Sequence, residues 1–163
     1  MTTESKPTSL MGSTGDETDD AALAELYRET VIDHAAEPVG YQVDIGATHS
    51  CELHNPLCGD HVEMQFRVEG ESIEAAAFKG ESCAICMASA SMLCEAIPGH
   101  PVQDVSLHHD WLSASLCAKA GVHLDETGLE SLRALLAVRR YPARVRCALL
   151  PWEAALKALE KLL

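Results

Sequence analysis

Three cysteines and one aspartate carry the chemistry this sequence is best equipped to perform. Cys58 and Asp60 stand two apart in Asn55-Pro-Leu-Cys-Gly-Asp60, Cys83 opens an apolar stretch, and Cys147 lies in an Arg-rich segment. Three thiols and one carboxylate suffice to hold a single tetrahedral metal ion. Gly59 lets the chain fold sharply enough for Cys58 and Asp60 to approach one ion. Cys83 opens a predicted helix, where unpaired amides and the positive dipole end favour thiolate over thiol. Cys147 is followed four residues later by Pro151, which in a continuous helix would orphan the Cys147 carbonyl. The sequence therefore predicts a helix that starts at Cys147 or later, with Arg144 and Arg146 close enough to stabilise the thiolate.

The elements that must position these residues are read from periodicity. Leu23, Leu26, Tyr27, Val31 and Ile32 fall at helical spacing between Ala21 and about Ala36, capped by Asp19 or Asp20 and closed by Pro38. His61 to Val68 alternates, with Val62, Met64, Phe66 and Val68 on one face. A Glu69-Gly-Glu71 turn leads into Ser72–Phe78, read with Ile73, Ala75 and Ala77 on one face, and 47–53 is a weaker third strand. Helices follow at 83–97, stopped by Pro98-Gly99, along Val102, Val105, Leu112 and Leu116, and at 129–138. Val145, Leu149, Trp152, Leu156, Leu159 and Leu163 mark a long amphipathic C-terminal helix. Strands first and helices afterwards give an α+β fold, a small antiparallel three-stranded sheet covered on one face by helices.

Composition narrows the function classes. The chain of 163 residues is long enough for one domain, expected at 21–163, behind a disordered acidic tail at 1–20 that has little to bury. A net charge of −13 and no Lys/Arg cluster as counter-patch argue against nucleic acid and anionic membranes. No apolar run of membrane-spanning length and no signal-peptide pattern is present, so a cytoplasmic location is expected. Seven cysteines in a reducing compartment favour metal or sulfur chemistry over a disulfide framework. Cys94 and Cys117, in apolar helical stretches, and Cys51, beside Leu53, read as small core residues. His109 is expected on the apolar stripe of its helix, His34 in packing or partner contact, and His49, His54 and His61 flank the Cys58 loop as alternate ligands the sequence does not decide.

Four blocks resemble the U-type iron–sulfur cluster assembly family, over about Ala21 to Leu163: Leu26-Tyr27 through Asp33-His34, Asn55 to Asp60, Gly80 to Ser91, and Tyr141 to Cys147. The family's scaffold branch has a His before the last cysteine, where this chain has Arg146. That Arg and the long connection from Cys83 to Cys147 resemble the SufU branch, whose members bind zinc and accept sulfur from a cysteine desulfurase. The resemblance implies zinc on Cys58, Asp60, Cys83 and Cys147, with Cys58 as sulfur acceptor from a SufS-type desulfurase that supplies downstream iron–sulfur assembly proteins. The alternative it allows is a scaffold that builds a [2Fe–2S] cluster on the same residues. Ser82 and Cys86 replace the family's usual Gly and Ser, and Pro151 stands where a helix former is common. The resulting Cys83-Ala-Ile-Cys86 spacing also suits a redox pair or an extra ligand, but the βαβ context of a thioredoxin-like site is missing.

Overall fold

The computed structural model describes residues 8–117 and 130–163. Helix α1 (Thr8–Ala36) leads into strands β1 (His49–Asn55), β2 (Asp60–Glu69) and β3 (Ser72–Lys79). Helices α2 (Ala84–Ala96) and α3 (Gln103–Cys117), a 3-10 segment (Glu130–Arg140) and α4 (Pro142–Leu159) follow, with a last 3-10 turn at Glu160–Leu162. The α+β class and the antiparallel sheet in the order β1-β2-β3 match the sequence reading.

Val62, Met64 and Phe66 of β2 are buried beneath the helices, while His61, Glu63 and Gln65 are half-buried and Arg67 exposed on the opposite face. Helix α4 packs on β1 and β2, and α2 on β3, so the core lies between one sheet face and these two helices. The alternation read for β3 is corrected by a bulge. Arg67 pairs with Ala75 but Val68 with Ile73, which leaves Glu74 as an extra residue. The phase flips there, and Ala76 and Phe78 join Ile73 in the core cluster in place of Ala75 and Ala77.

Three further boundaries differ from the sequence reading. α1 starts at Thr8 and so takes in part of the 1–20 stretch assigned to a disordered tail. No proline interrupts the chain between Pro7 and Pro38, so a helix nucleated by its packed C-terminal half can propagate backward. The helix read at 129–138 is a 3-10 segment beginning at Glu130, and Leu129 lies outside the described residues. α4 begins at Pro142, not at Cys147, with Tyr141 as N-cap, and runs through Pro151. Proline is pre-organised for the first helical position, which makes Pro142 the start signal. Ser89 Oγ donates to the Ala148 carbonyl at 2.6 Å, bonding the helix backbone near Pro151 from the side.

The apolar stripe of α3 includes His108 instead of His109. His108 is buried, bonds the Asp104 carbonyl at 2.6 Å and stacks on Trp152 with ring centroids 6.4 Å apart. The step of three from Val105 wins over the step of four, because both lie on one helical face and His108 is the one that is buried and stacks on Trp152 of α4.

Gly80 carries the chain from β3 toward Cys83. It has φ +125°, and a Cβ added there would run into the His61 carbonyl oxygen, backbone that cannot move aside. The neighbouring Glu81 carbonyl accepts the His61 amide at 2.9 Å, so this strap is pinned across the start of β2. Gly80→Ala is expected to lower stability by at least about 3 kcal/mol, read from the urea midpoint, since strain and steric clash add.

Candidate metal centre

The β1–β2 connection presents Cys58. Asn55, buried at the end of β1, organises it: its side-chain Oδ1 accepts the Leu57 amide at 3.1 Å, and its carbonyl accepts the Cys58 and Gly59 amides at 3.4 and 2.9 Å. An Asx turn of this kind fixes a tight reversal. Gly59 takes φ +75°, which a side chain would resist, and returns the chain into β2 at Asp60. Cys58 is thereby left exposed while Asp60 is buried at 4%.

Cys83 is the N-cap of α2, as its sequence position suggests. Its amide donates to Asp60 Oδ1 at 2.8 Å. Asp60 thus satisfies the amide of the N-cap residue itself, the donor that a capping-box carboxylate accepts. Cys147 reaches the same place from the second turn of α4, fully buried, with its Sγ 3.6 Å from that of Cys58. Ligand atoms of Cys58, Asp60 and Cys147 all lie within 4.8 Å of one another. Cys83 is not in that tightest group, but its side chain is close enough to act on both Asp60 and Cys147.

The electrostatics describe a site short of positive charge. Burial pushes the Asp60 carboxyl up, yet the Cys58, Cys83 and Cys147 thiols around it and the Cys83 amide more than offset it and hold the group below its usual range. Burial drives the Cys147 thiol strongly up, and its hydrogen bonds with Cys58, Cys83 and Asp60 and the charge of Cys83 add to that. Asp60 Oδ2 is buried with no hydrogen-bond partner. A buried carboxylate oxygen without a donor is costly, and a cation beside it would satisfy the oxygen and let the thiols ionise together. Sulfur and oxygen donors in this number suit a tetrahedral zinc site. Arg144 is exposed, and its guanidinium holds its proton more firmly through hydrogen bonding to Cys147 and the charge of Cys83. Arg146 lines a cavity of about 460 Å³ beside the site, together with Leu53, His54, Asn55 and Leu150.

The remaining candidates fall outside the cluster. Cys86 is fully buried one turn into α2, and burial pushes its thiol to about 12, so it is a core residue beside the site. Cys94 is buried against Gly40, with its thiol driven up by burial, whereas Cys117 is exposed and not the core residue its stretch suggests. His54 and His61 lie on the outer sheet face and share the Glu52 carboxylate at 3.2 and 3.5 Å. His49 bonds Thr48, and His34 bonds Ser91 at 2.7 Å, tying α1 to α2 in a packing role. The sequence signal for Gly80 was present in its block, but its steric role is visible only with β2 in place.

Comparison with known proteins places this arrangement. A 141-residue match at 34% identity, covering 86% of this chain and 94% of the relative, links it to the zinc-dependent sulfurtransferase SufU of Bacillus subtilis (strain 168). The iron–sulfur cluster assembly scaffold protein IscU of Streptococcus pyogenes serotype M1 is 29% identical over 85% of this chain and 86% of its own length. A crystal structure from Fervidobacterium islandicum AW-1, described as a scaffold protein for the SUF system, superposes with a TM-score of 0.70. That match has 30% identity over 80% of this chain and 94% of the other. Among the described residues no helix is long and apolar enough to cross a membrane. With residues 26–148 matching its model, the chain belongs to the NifU-like N terminal domain family.

Proposed function

We propose that this protein is a zinc-dependent sulfur carrier that takes persulfide sulfur from a cysteine desulfurase for iron–sulfur cluster assembly, acting in the cytoplasm. Cys58, Asp60, Cys83 and Cys147 are its ligand set, and Cys58 is the acceptor. The observation that carries the reading is the partnerless, buried Asp60 Oδ2 beside two thiols 3.6 Å apart. A zinc relative at 34% identity supports the choice of metal. When bound, zinc would supply no redox chemistry; it would keep the thiols deprotonated and give up one ligand when another donor replaces it.

Exposure divides the labour among the ligands. Cys147 is fully buried and Cys83 half-buried, so neither can meet a protein-bound persulfide, whereas Cys58 stands on an exposed loop. The Cys58 thiolate attacks the outer sulfur of the donor's Cys–S–SH, a new S–S bond forms, the old one breaks, and the donor cysteine leaves as thiolate. The proton stays on the transferred sulfur, so charge and electrons balance. Asp60, a hard carboxylate among soft thiolates, would be the weaker donor to zinc and would tune ligand exchange at the site.

The IscU relative favours a second reading, a scaffold assembling a [2Fe–2S] cluster on the same residues. Anaerobic reconstitution with iron and sulfide separates the two. The carrier remains colourless with its zinc retained; a visible cluster that transfers to an apo-acceptor establishes the scaffold instead.

A further inference from the structure

Leu57 precedes Cys58 in the loop and is 85% exposed, the most exposed of the large apolar side chains in the described structure. Single exposed leucines are common and need no explanation. This one has company. Tyr141, the N-cap of α4, is 63% exposed. Arg144, exposed one helical turn before Cys147, acts on that thiol, and Arg146, also exposed, lines a cavity with Asn55, the residue that anchors the Cys58 turn. An exposed aliphatic anchor next to the reactive Cys58, and an exposed tyrosine and arginines on the first turns of the helix that carries Cys147, have the composition of a protein-binding hot spot.

Charge identifies the partner. The chain carries a net −13, yet no Asp or Glu occurs between Glu130 and Glu153, a segment that holds Arg133, Arg139, Arg140, Arg144 and Arg146. This is the basic cluster that composition as a whole conceals. Arg139 is taken up by the Ser115 carbonyl, while Arg140, Arg144 and Arg146 stay exposed. A basic rim on an acidic molecule selects an acidic partner surface and turns the rest of the molecule away from it.

We infer that Leu57, with Tyr141 and the arginine rim, is the docking anchor for the sulfur-donor protein, whose surface offers an apolar recess for Leu57 and acidic groups for Arg144 and Arg146 beside its persulfide. The inference rests on the sulfur-carrier reading and names how its donor is recognised. Burying Leu57 removes a large apolar side chain from water at the moment Cys58 is delivered, so affinity and alignment come from the same contact.

The test loads sulfur onto the full-length, metal-bound chain from two sources, a purified cysteine desulfurase with cysteine and glutathione persulfide, and counts persulfide on Cys58 by mass spectrometry. Leu57→Asp is expected to raise the half-saturating concentration for desulfurase by about tenfold or more, with zinc content and loading from glutathione persulfide unchanged. Leu57→Met restores wild-type half-saturation, and Arg146→Glu slows loading from the desulfurase most at low salt. Unchanged half-saturation in Leu57→Asp overturns the inference, as does an equal loss with both sulfur sources, which places Leu57 in the chemistry instead of the docking. If the wild-type protein takes sulfur from neither source, the carrier reading itself fails, a result distinct from both.

Discussion

Cys58→Ala is expected to end sulfur acceptance from a cysteine desulfurase, a fall on the order of a hundredfold or more to the level of a blank without protein. No other thiol of the site can substitute, since Cys147 is fully buried, Cys83 half-buried against Asp60, and Cys86 buried behind them. In the metal-free chain stability should hardly change, because Cys58 is exposed and the Asx turn that shapes its loop uses backbone amides and Asn55 alone, whereas with zinc present the loss of one ligand should lower it. Desulfurase-dependent persulfide mapping and a urea melt on one sample check both halves. Undiminished acceptance would reassign the acceptor.

Cys147→Ala is the second large effect, and it works through the metal. Loss of one of four donors should weaken zinc by more than about a hundredfold, the upper end of what outer-shell changes alone cost. The same substitution removes a fully buried sulfur between α4 and the sheet, adding a packing loss of about 1 kcal/mol in the metal-free chain. Competition with a chromophoric chelator reads the first, and melts with and without chelator separate the two. Zinc affinity equal to wild type would show that Cys147 is not a ligand.

Much of the fold is legible in periodicity because β2 buries one clean stripe, whereas α4 is buried on all sides from Cys147 to Trp152 and its predicted stripe is only part of what it buries. The failures have local causes. Glu74 adds a residue to β3 that no period-2 pattern announces, and Pro151 reads as a helix boundary although Pro142 had already begun the helix. His108 and His109 compete for one face, and only the arrival of Trp152 from α4 decides between them. In the site, residue types and the short Cys58–Asp60 spacing were readable, as was Cys83 at a helix start. The partnerless Asp60 oxygen and the exposure of Leu57 depend on contacts between distant segments, which no local pattern encodes. The arginine cluster was legible in principle, but the net acidity of the chain masks it.

The account turns on one cation gathered by Cys58, Asp60, Cys83 and Cys147. Elemental analysis of the full-length protein purified without added metal tests it most directly. About one zinc per chain, falling toward zero in Asp60→Ala, is the predicted result. Protein that is folded yet holds no zinc and takes none up, or that keeps its zinc when Asp60 is replaced, contradicts it.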